Sequence, residues 1–464
     1  MTFIKPLHWL LLIVLLIPYE GNAQSADISL QQLLNTMHQN YEGLKSQQSL
    51  VQQKAAQQKS VAYNRLPHLN TLLQASVVSD NNLEGSYLPY GVVPSLTSAT
   101  RTQSNLTTLG GDIALAGINW EAVNFGQYKA QNDVAKSDLA LQLSSLAKSS
   151  YMLDDVTAAC YLELLRQYDL QKIQSANVAR LRDLLETVSV LVSSGTRPTV
   201  DSMVALAELS KANAALIDAQ NGYMQLQIQL SVLSGLTGDF FPDTSDEQKL
   251  VTEADAYLAS AVVDSLHHPQ IQFYSSIYAA NTARLNLEKK RYYPKLYLDL
   301  DAWGRGSSLS NTDVYNSNLA TGYAPSRFNY FAGLTLSYDI FNIVRKRLNM
   351  PVARFGAESA YHDLLNEKEN LKGEIEKAYL SKNFQTNKLK EINNEVDAAT
   401  SAYDLQRSLY DSGLSSIIEL NTALDYYIRA QRDQADARIS LLKSILHYSL
   451  VTNSFNGLVQ TLKL

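Results

Sequence analysis

The sequence predicts a mixed, mainly α-helical fold in which one structural unit occurs twice. Two glycine turns carry this prediction. Gly195 and Gly413 each separate two long helical patterns, and each is followed at the same distance by an acid, Asp201 or Glu419. Two pairs of segments of about ten residues, in which apolar and polar side chains alternate as in β-strands, interrupt the helical patterns. An internal repeat on this scale decides the architecture before any single motif does.

Residues 1–23 are predicted to be a signal peptide that is cleaved on export. Lys5 supplies the positive end, Leu7 to Ile17 form an apolar run of about 11 residues, and Gly21-Asn22-Ala23 are small residues suited to cleavage. A spanning helix needs about 20 apolar residues, so an N-terminal anchor is disfavoured. The single cysteine, Cys160, lies far from the cleavage position, so we expect neither lipidation nor an intramolecular disulfide.

The first repeat is assigned to residues 24–238. A helix over about 28–66 ends at Pro67, and alternation then predicts strands over about 69–78 and 111–120. A helical pattern of about 70 residues follows, turns near residue 195, and returns as a shorter helix that ends at Gly235. Residues 239–252, with Pro242 and several acids, are predicted to be a connector.

The second repeat, residues 253–464, shows the same order. A helix ends at Pro294, strands are predicted over about 295–303 and 330–340, and a long helix turns near residue 413 into a shorter one. Leu296, Leu298 and Leu300 alternate with polar or amphipathic residues in the clearest period-two pattern of the chain. The same offset that separates Gly195 from Gly413 separates the two junctions at which strand gives way to long helix.

Helix lengths predict how each repeat is arranged. A helix of about 70 residues is about 105 Å long, which matches two half-length helices placed end to end. All strands then fall at one end of the repeat and the glycine turn at the other. Strands of about ten residues with one apolar face fit the wall of an outer-membrane barrel. Four strands cannot close a barrel, and open edges are not tolerated in lipid, so several copies are required.

Paired motifs at these junctions resemble the TolC-like outer-membrane efflux protein family over nearly the whole mature chain. They are RLPHLNTLLQ (65–74) with RYYPKLYLDL (291–300), WEAVNFG (120–126) with YDIFNIV (338–344), and SGTRPTVD (194–201) with SGLSSIIE (412–419). The resemblance implies a homotrimer with a twelve-stranded barrel in outer-membrane lipid and a twelve-helix periplasmic tunnel. It also implies a periplasmic adaptor protein and an inner-membrane pump of the RND or ABC type as partners.

The resemblance also implies functional positions at the hairpin tips. Asp201 and Glu419 match the acids that line the family's periplasmic constriction, where a ring of carboxylates would attract cations. The alternative is that both acids only stabilise the first turn of a helix. The family's second acid and its basic locking residue would fall at Thr422 and Ser415, which are departures. The expected adaptor contacts are Gly195, Thr196, Arg197, Gly413, Leu414 and Ser415.

Asp299, Asp301 and Asp339 are candidates for lining the barrel lumen. The sequence contains neither nucleotide-binding nor hydrolase motifs, and its histidines and methionines are scattered, so no enzyme activity, cofactor or metal site is expected. The net charge is −6, and acidic and basic residues are mixed along the sequence, so it shows no basic stretch of the kind that binds nucleic acid. The expected function is therefore the passive exit duct of a tripartite efflux or type I secretion system, its cargo left open. The alternative is a periplasmic coiled-coil scaffold without a channel.

Overall fold

The computed structural model describes residues 26–79, 103–236, 240–260, 263–310, 312 and 314–464. The predicted signal peptide and much of the loop after residue 79 therefore lie outside the described residues. The described helices are α1 (Leu30–Asn40), α2 (Glu42–Tyr63), α3 (Gln127–Ser193), α4 (Thr199–Ser234), α5 (Thr244–Ser260), α6 (Pro269–Arg291), α7 (Asn342–Asp411), α8 (Ile417–Val451) and α9 (Phe455–Leu462). The described strands are β1 (Ala26–Ile28), β2 (His68–Ser79), β3 (Thr108–Val123), β4 (Phe240–Pro242), β5 (Lys295–Ser307) and β6 (Arg327–Ser337).

The chain forms two compact units. One contains the described residues up to Leu50 together with Leu143–Ser275 and Asp363–Leu464. The other contains Val51–Gln142 and Ser276–His362. We call the first the helical unit and the second the sheet unit.

The sheet unit holds a four-stranded antiparallel sheet in the order β2-β3-β5-β6. Cross-strand partners share a face, so the register sorts the side chains into two sets. Leu69, Ile118, Leu300 and Ala332 lie in one row of the apolar face, whereas Asn119, Asp299 and Gly333 lie in one row of the polar face. The apolar face is uncovered, since Leu73 is 80% and Leu334 is 71% exposed. β2 and β6 are the two edges of the sheet.

Residues 239–252, predicted to connect the two repeats, include ordered elements in their described part. Phe240–Pro242 pairs in parallel with Ala26–Ile28, and α5 begins at Thr244 rather than near residue 253. Asp246 and Glu247 lie in the first turn of α5, where negative charge stabilises the exposed N–H groups. The Asp243 carboxylate also accepts a hydrogen bond of 2.8 Å from the Ser245 N–H.

The core of the helical unit surrounds a buried carboxylate. Asp246 is fully buried, and its Oδ2 accepts hydrogen bonds of 2.9 Å from both the Leu30 N–H and the Tyr161 hydroxyl. These two bonds connect α5 to α1 and α3. Burial raises the pKa of Asp246, because a charged carboxylate is costly away from water. The apolar core of this unit consists mainly of leucines, among them Leu33, Leu165 and Leu250, each at most 1% exposed.

A contact between a histidine and an aspartate makes the stability of the helical unit depend on pH. His38 of α1 lies with Nε2 2.6 Å from the Asp154 carboxylate of α3, and its Nδ1 lies 3.2 Å from the Ser150 hydroxyl. The hydrogen bond to Asp154 raises the pKa of His38, although burial partly opposes the rise. A raised histidine pKa adds stability at pH values below the unfolded pKa, and this stability is lost as the pH rises through the folded pKa.

We expect His38→Gln to be less stable than the parent protein at pH 6, with the difference shrinking as the pH rises from 6 to 8. The difference should stay below about 1 kcal/mol because the imidazole is partly exposed. Thermal unfolding of the detergent-solubilised protein across this pH range measures it. The matched control is His362→Gln, which removes an exposed histidine of α7. A pH-independent effect of His38→Gln would show that the pair does not titrate in this range.

Candidate functional site

The two hairpin turns end their long helices in the same way. Gly195 and Gly413 adopt left-handed backbone angles, with φ of +77° and +79°. Next to them, the N–H of Thr196 bonds to the Leu191 carbonyl and the N–H of Leu414 bonds to the Leu409 carbonyl. This pattern closes a helix C-terminus and requires positive φ at the residue before the donor. A Cβ at either glycine would meet open space, so backbone conformation rather than packing calls for glycine.

Glu419 lies in the first turn of α8 and is exposed. Its carboxylate accepts hydrogen bonds from the Ser416 N–H at 3.0 Å and from the Ser415 hydroxyl at 2.8 Å. The Ser416 hydroxyl in turn accepts from the Glu419 N–H, which completes a capping box. The bond from the Ser416 N–H, aided by the serine hydroxyls, lowers the pKa of Glu419, so the side chain is a stable anion at neutral pH.

An open groove of about 780 Å³ runs along the second hairpin beside Glu419. Small side chains from the end of α7 and the start of α8 form much of its floor, including Ala398, Ala402 and Ala423. The Gln406 side chain donates to the Ser415 hydroxyl, and this hydroxyl donates to Glu419. Ser415 is therefore a hydrogen-bonding partner of the acid.

Asp201 lies in a different environment from Glu419. It also occupies the first turn of its helix, but it is only 8% exposed. Pro198 occupies the N-cap position of α4, but its side chain makes no hydrogen bond to the helix. The Asp201 carboxylate lies close enough to Tyr410 to add to the rise in the tyrosine pKa that burial causes. The turns thus present one exposed acid and one buried acid within the protomer.

Arg197 connects the first hairpin to the second. Its Nη2 donates a hydrogen bond of 3.2 Å to the Tyr410 carbonyl, and its guanidinium lies 4.8 Å from the centre of the Tyr410 ring. Tyr410 is 2% exposed and lies in the last turn of α7. Sequence reasoning placed Arg197 only as an adaptor contact and missed Tyr410. The sequence did offer a signal for this contact. Arg197 is a cation in the Gly195 turn, and Tyr410 is an aromatic residue just before the Gly413 turn.

The tips also present exposed groups. Leu414 is 77% exposed, and the Thr196 hydroxyl lies 3.0 Å from that of Ser194. Leu414 borders the groove together with Ile418, which is also exposed, so this tip presents adjoining apolar side chains that a partner surface could bury.

The three lumen candidates separate into two groups. Asp299 and Asp301 lie on the polar face of β5, where Asp299 contacts the Asn119 amide of β3 and the Thr335 hydroxyl of β6. Asp339 lies beyond the end of β6 instead. There it accepts a hydrogen bond of 2.9 Å from the Phe341 N–H and pairs with Arg345 of α7. Asp339 thus stabilises the junction between strand and helix.

None of the helices within the described ranges has both the length and the apolarity to cross a membrane.

Comparison with known proteins identifies related sequences and structures. Residues 266–446 match the family described as outer membrane efflux protein, a family of ducts rather than of enzymes. Nodulation protein T of Rhizobium leguminosarum bv. trifolii is 21% identical over 388 residues, which cover 82% of this chain and 76% of that protein.

Solved structures share the fold at low sequence identity. CusC, in a study of folding and transmembrane channel formation, superposes with a TM-score of 0.73 at 15% identity over 92% of each chain. The Campylobacter jejuni outer membrane channel CmeC gives a TM-score of 0.72 at 14% identity, covering 92% of this chain and 86% of the other. The open state of the Neisseria gonorrhoeae outer membrane channel MtrE gives 0.70 at 14% identity, covering 93% and 90%. These matches confirm the resemblance carried by the paired motifs, since the chain has the fold of the TolC-like outer-membrane efflux channels and residues 266–446 match that family.

Proposed function

We propose that this protein is the outer-membrane exit duct of a tripartite efflux or type I secretion system. The observation that carries the proposal is the four-stranded sheet, which has an exposed apolar face, a polar face and two open edges. A sheet with this division of side chains suits a barrel wall between lipid and an aqueous lumen. Asp299 and Asp301 would then face the lumen.

Closing the wall requires further copies of the chain. An edge strand buried in lipid leaves backbone N–H and C=O groups without partners, which costs several kcal/mol for each group. Pairing β6 of one copy with β2 of the next removes both edges. Three copies would give twelve strands and a homotrimer, the assembly implied by the family resemblance. Each half of the mature chain, 24–238 and 253–464, would contribute two strands and one hairpin.

The hairpin tips are the surface on which partners would act. We infer that a periplasmic adaptor binds around the two turns, where Leu414 and the groove beside Glu419 are exposed. Through it the duct would connect to an inner-membrane pump of the RND or ABC type, which would supply the energy and select the cargo. The mature protein would reside in the outer membrane and extend into the periplasm.

Glu419 is proposed to line the periplasmic constriction as the charged group nearest the permeating ion. In planar bilayers we expect a small, cation-selective conductance, and Glu419→Gln should lower the preference for K⁺ over Cl⁻ several-fold. Glutamine also completes a capping box, so the start of α8 should remain folded. Asp201→Asn should have the smaller effect because Asp201 is buried in the protomer.

Outer-membrane fractionation and heat-modifiable migration in gels provide the companion test. A periplasmic scaffold would remain in the soluble periplasmic fraction, and its apolar sheet face would have no role. Unchanged selectivity in Glu419→Gln would limit this residue to helix capping while leaving the channel intact. Folded protein that neither enters the outer membrane nor conducts would support the scaffold.

A further inference from the structure

Cations concentrate where the helices of the sheet unit meet its strands, although the chain as a whole has a net charge of −6. Lys289, Lys290 and Arg291 form the last turn of α6, directly before β5. Arg345, Lys346 and Arg347 lie near the start of α7, shortly after β6. Because β5 and β6 pair along their length with Lys295 opposite Ser337, both groups lie at the same end of the sheet.

The helix dipole explains only half of this pattern. Cations at the C-terminus of α6 interact favourably with the carbonyl groups that end the helix. The cations of α7 lie at a helix N-terminus, where the dipole disfavours positive charge. An anionic ligand between the two groups would account for both.

The nearby acids are already paired. Arg291 lies 3.6 Å from Glu288, Lys295 lies 2.9 Å from Glu121, and Arg345 pairs with Asp339. Lys290 and Lys346 instead contact an aromatic ring, since both ammonium groups lie over the ring of Tyr293. The centre of the Tyr293 ring is 4.9 Å from Lys290 Nζ and 5.6 Å from Lys346 Nζ. The Lys290 stem passes over Gly126, with Cε 4.0 Å from the position that a Cβ would take there.

This cation pair borders the apolar end of the sheet. Tyr293 comes just before β5, whose first apolar residue is Leu296. Beyond β6, Ile340 and Phe341 are 74% and 71% exposed. Exposed apolar side chains beside lysines and a tyrosine are typical of the boundary between acyl chains and headgroups.

We propose that Lys290, Lys346 and Tyr293 form a binding site for the phosphate of an anionic phospholipid in the periplasmic leaflet of the outer membrane. The proposal rests on the proposed function, because it requires the sheet to lie in that membrane. The two ammonium groups would pair with the phosphate, and the tyrosine ring would hold them together. Lys289 and Arg347 are exposed nearby and would add to the attraction.

Native mass spectrometry of the full-length protein in detergent, titrated with phosphatidylglycerol or phosphatidylcholine, tests this site. We expect phosphatidylglycerol to bind more tightly than phosphatidylcholine. Loss of each lysine should weaken phosphatidylglycerol binding about fivefold, so Lys290→Gln/Lys346→Gln should bind it roughly 25-fold more weakly than the parent. Lys368→Gln/Lys372→Gln removes the same charge from exposed positions further along α7 and should bind as the parent does.

Three results would overturn the proposal: unchanged phosphatidylglycerol affinity in the double variant, equal affinity for the two lipids, or displacement of the lipid by inorganic phosphate at equal concentration. The last result would identify a site for a soluble anion. Fractionation of the same proteins separates this failure from failure of the proposed function. A protein that inserts into the outer membrane but binds lipid without preference lacks only the site.

Discussion

Arg197→Ala should increase the single-channel conductance and the time spent open. The Arg197 side chain connects the two hairpin tips of one protomer by a hydrogen bond to the Tyr410 carbonyl and a stack on its ring. Together these contacts contribute roughly 2 kcal/mol. If they hold the tips in the narrow arrangement, their loss shifts the balance between narrow and wide tips by roughly 30-fold for each protomer. Planar-bilayer recordings give both quantities directly.

Two variants show which contact matters. Arg197→Lys keeps the charge but loses the planar stack, so an intermediate conductance is expected. Arg407→Ala removes an exposed arginine of α7 and should conduct like the parent. Equal conductance in the parent and Arg197→Ala would mean that this contact stabilises the turn without restricting the channel.

Period-two alternation predicted the location of β5 because one face of the sheet is apolar and the other polar. β3 was harder to delimit from sequence, since Gly110 and Gly111 interrupt its pattern. Glycine is needed at position 110 because a segment distant in sequence packs against it. A Cβ at Gly110 would come within 2.4 Å of the Leu319 carbonyl oxygen, so the chain that packs there requires a residue without a side chain.

At the hairpin tips, too, the sequence predicted some features and not others. The glycine turns could be predicted because positive φ favours glycine and long helical patterns flank them. The different surroundings of Asp201 and Glu419 could not, since the two sequences place the acids identically. One lies close to a tyrosine contributed by the other hairpin, and the other completes a local capping box. Which acid is exposed depends on tertiary contacts that the two similar turn sequences do not encode.

Asp246→Ala should destabilise the helical unit by about 3 kcal/mol and lower its apparent Tm by roughly 5–10 °C. The substitution leaves the buried Leu30 N–H without its acceptor, which lies 2.9 Å away in the parent. The Tyr161 hydroxyl loses less, because the Ile28 and Asp243 carbonyls lie 3.2 and 3.3 Å from it. The side-chain hydrogen-bond partners of Asp246 lie on α1 and α3, and its only ion-pair partner close in sequence is Lys249, 3.6 Å away, so no short-range pattern marks its structural role among the described residues.

The asparagine variant distinguishes hydrogen bonding from charge. Asp246→Asn keeps an acceptor for the Leu30 N–H and removes a charge that burial disfavours, so it should cost much less than alanine. Asp218→Ala, at an exposed position of α4, should leave the Tm unchanged. If the alanine and asparagine variants melted together, charge rather than hydrogen bonding would be the stabilising property. A parent-like Tm for Asp246→Ala would mean instead that water or a rearranged backbone satisfies the Leu30 N–H, and that the contact between α1 and α5 depends on leucine packing alone.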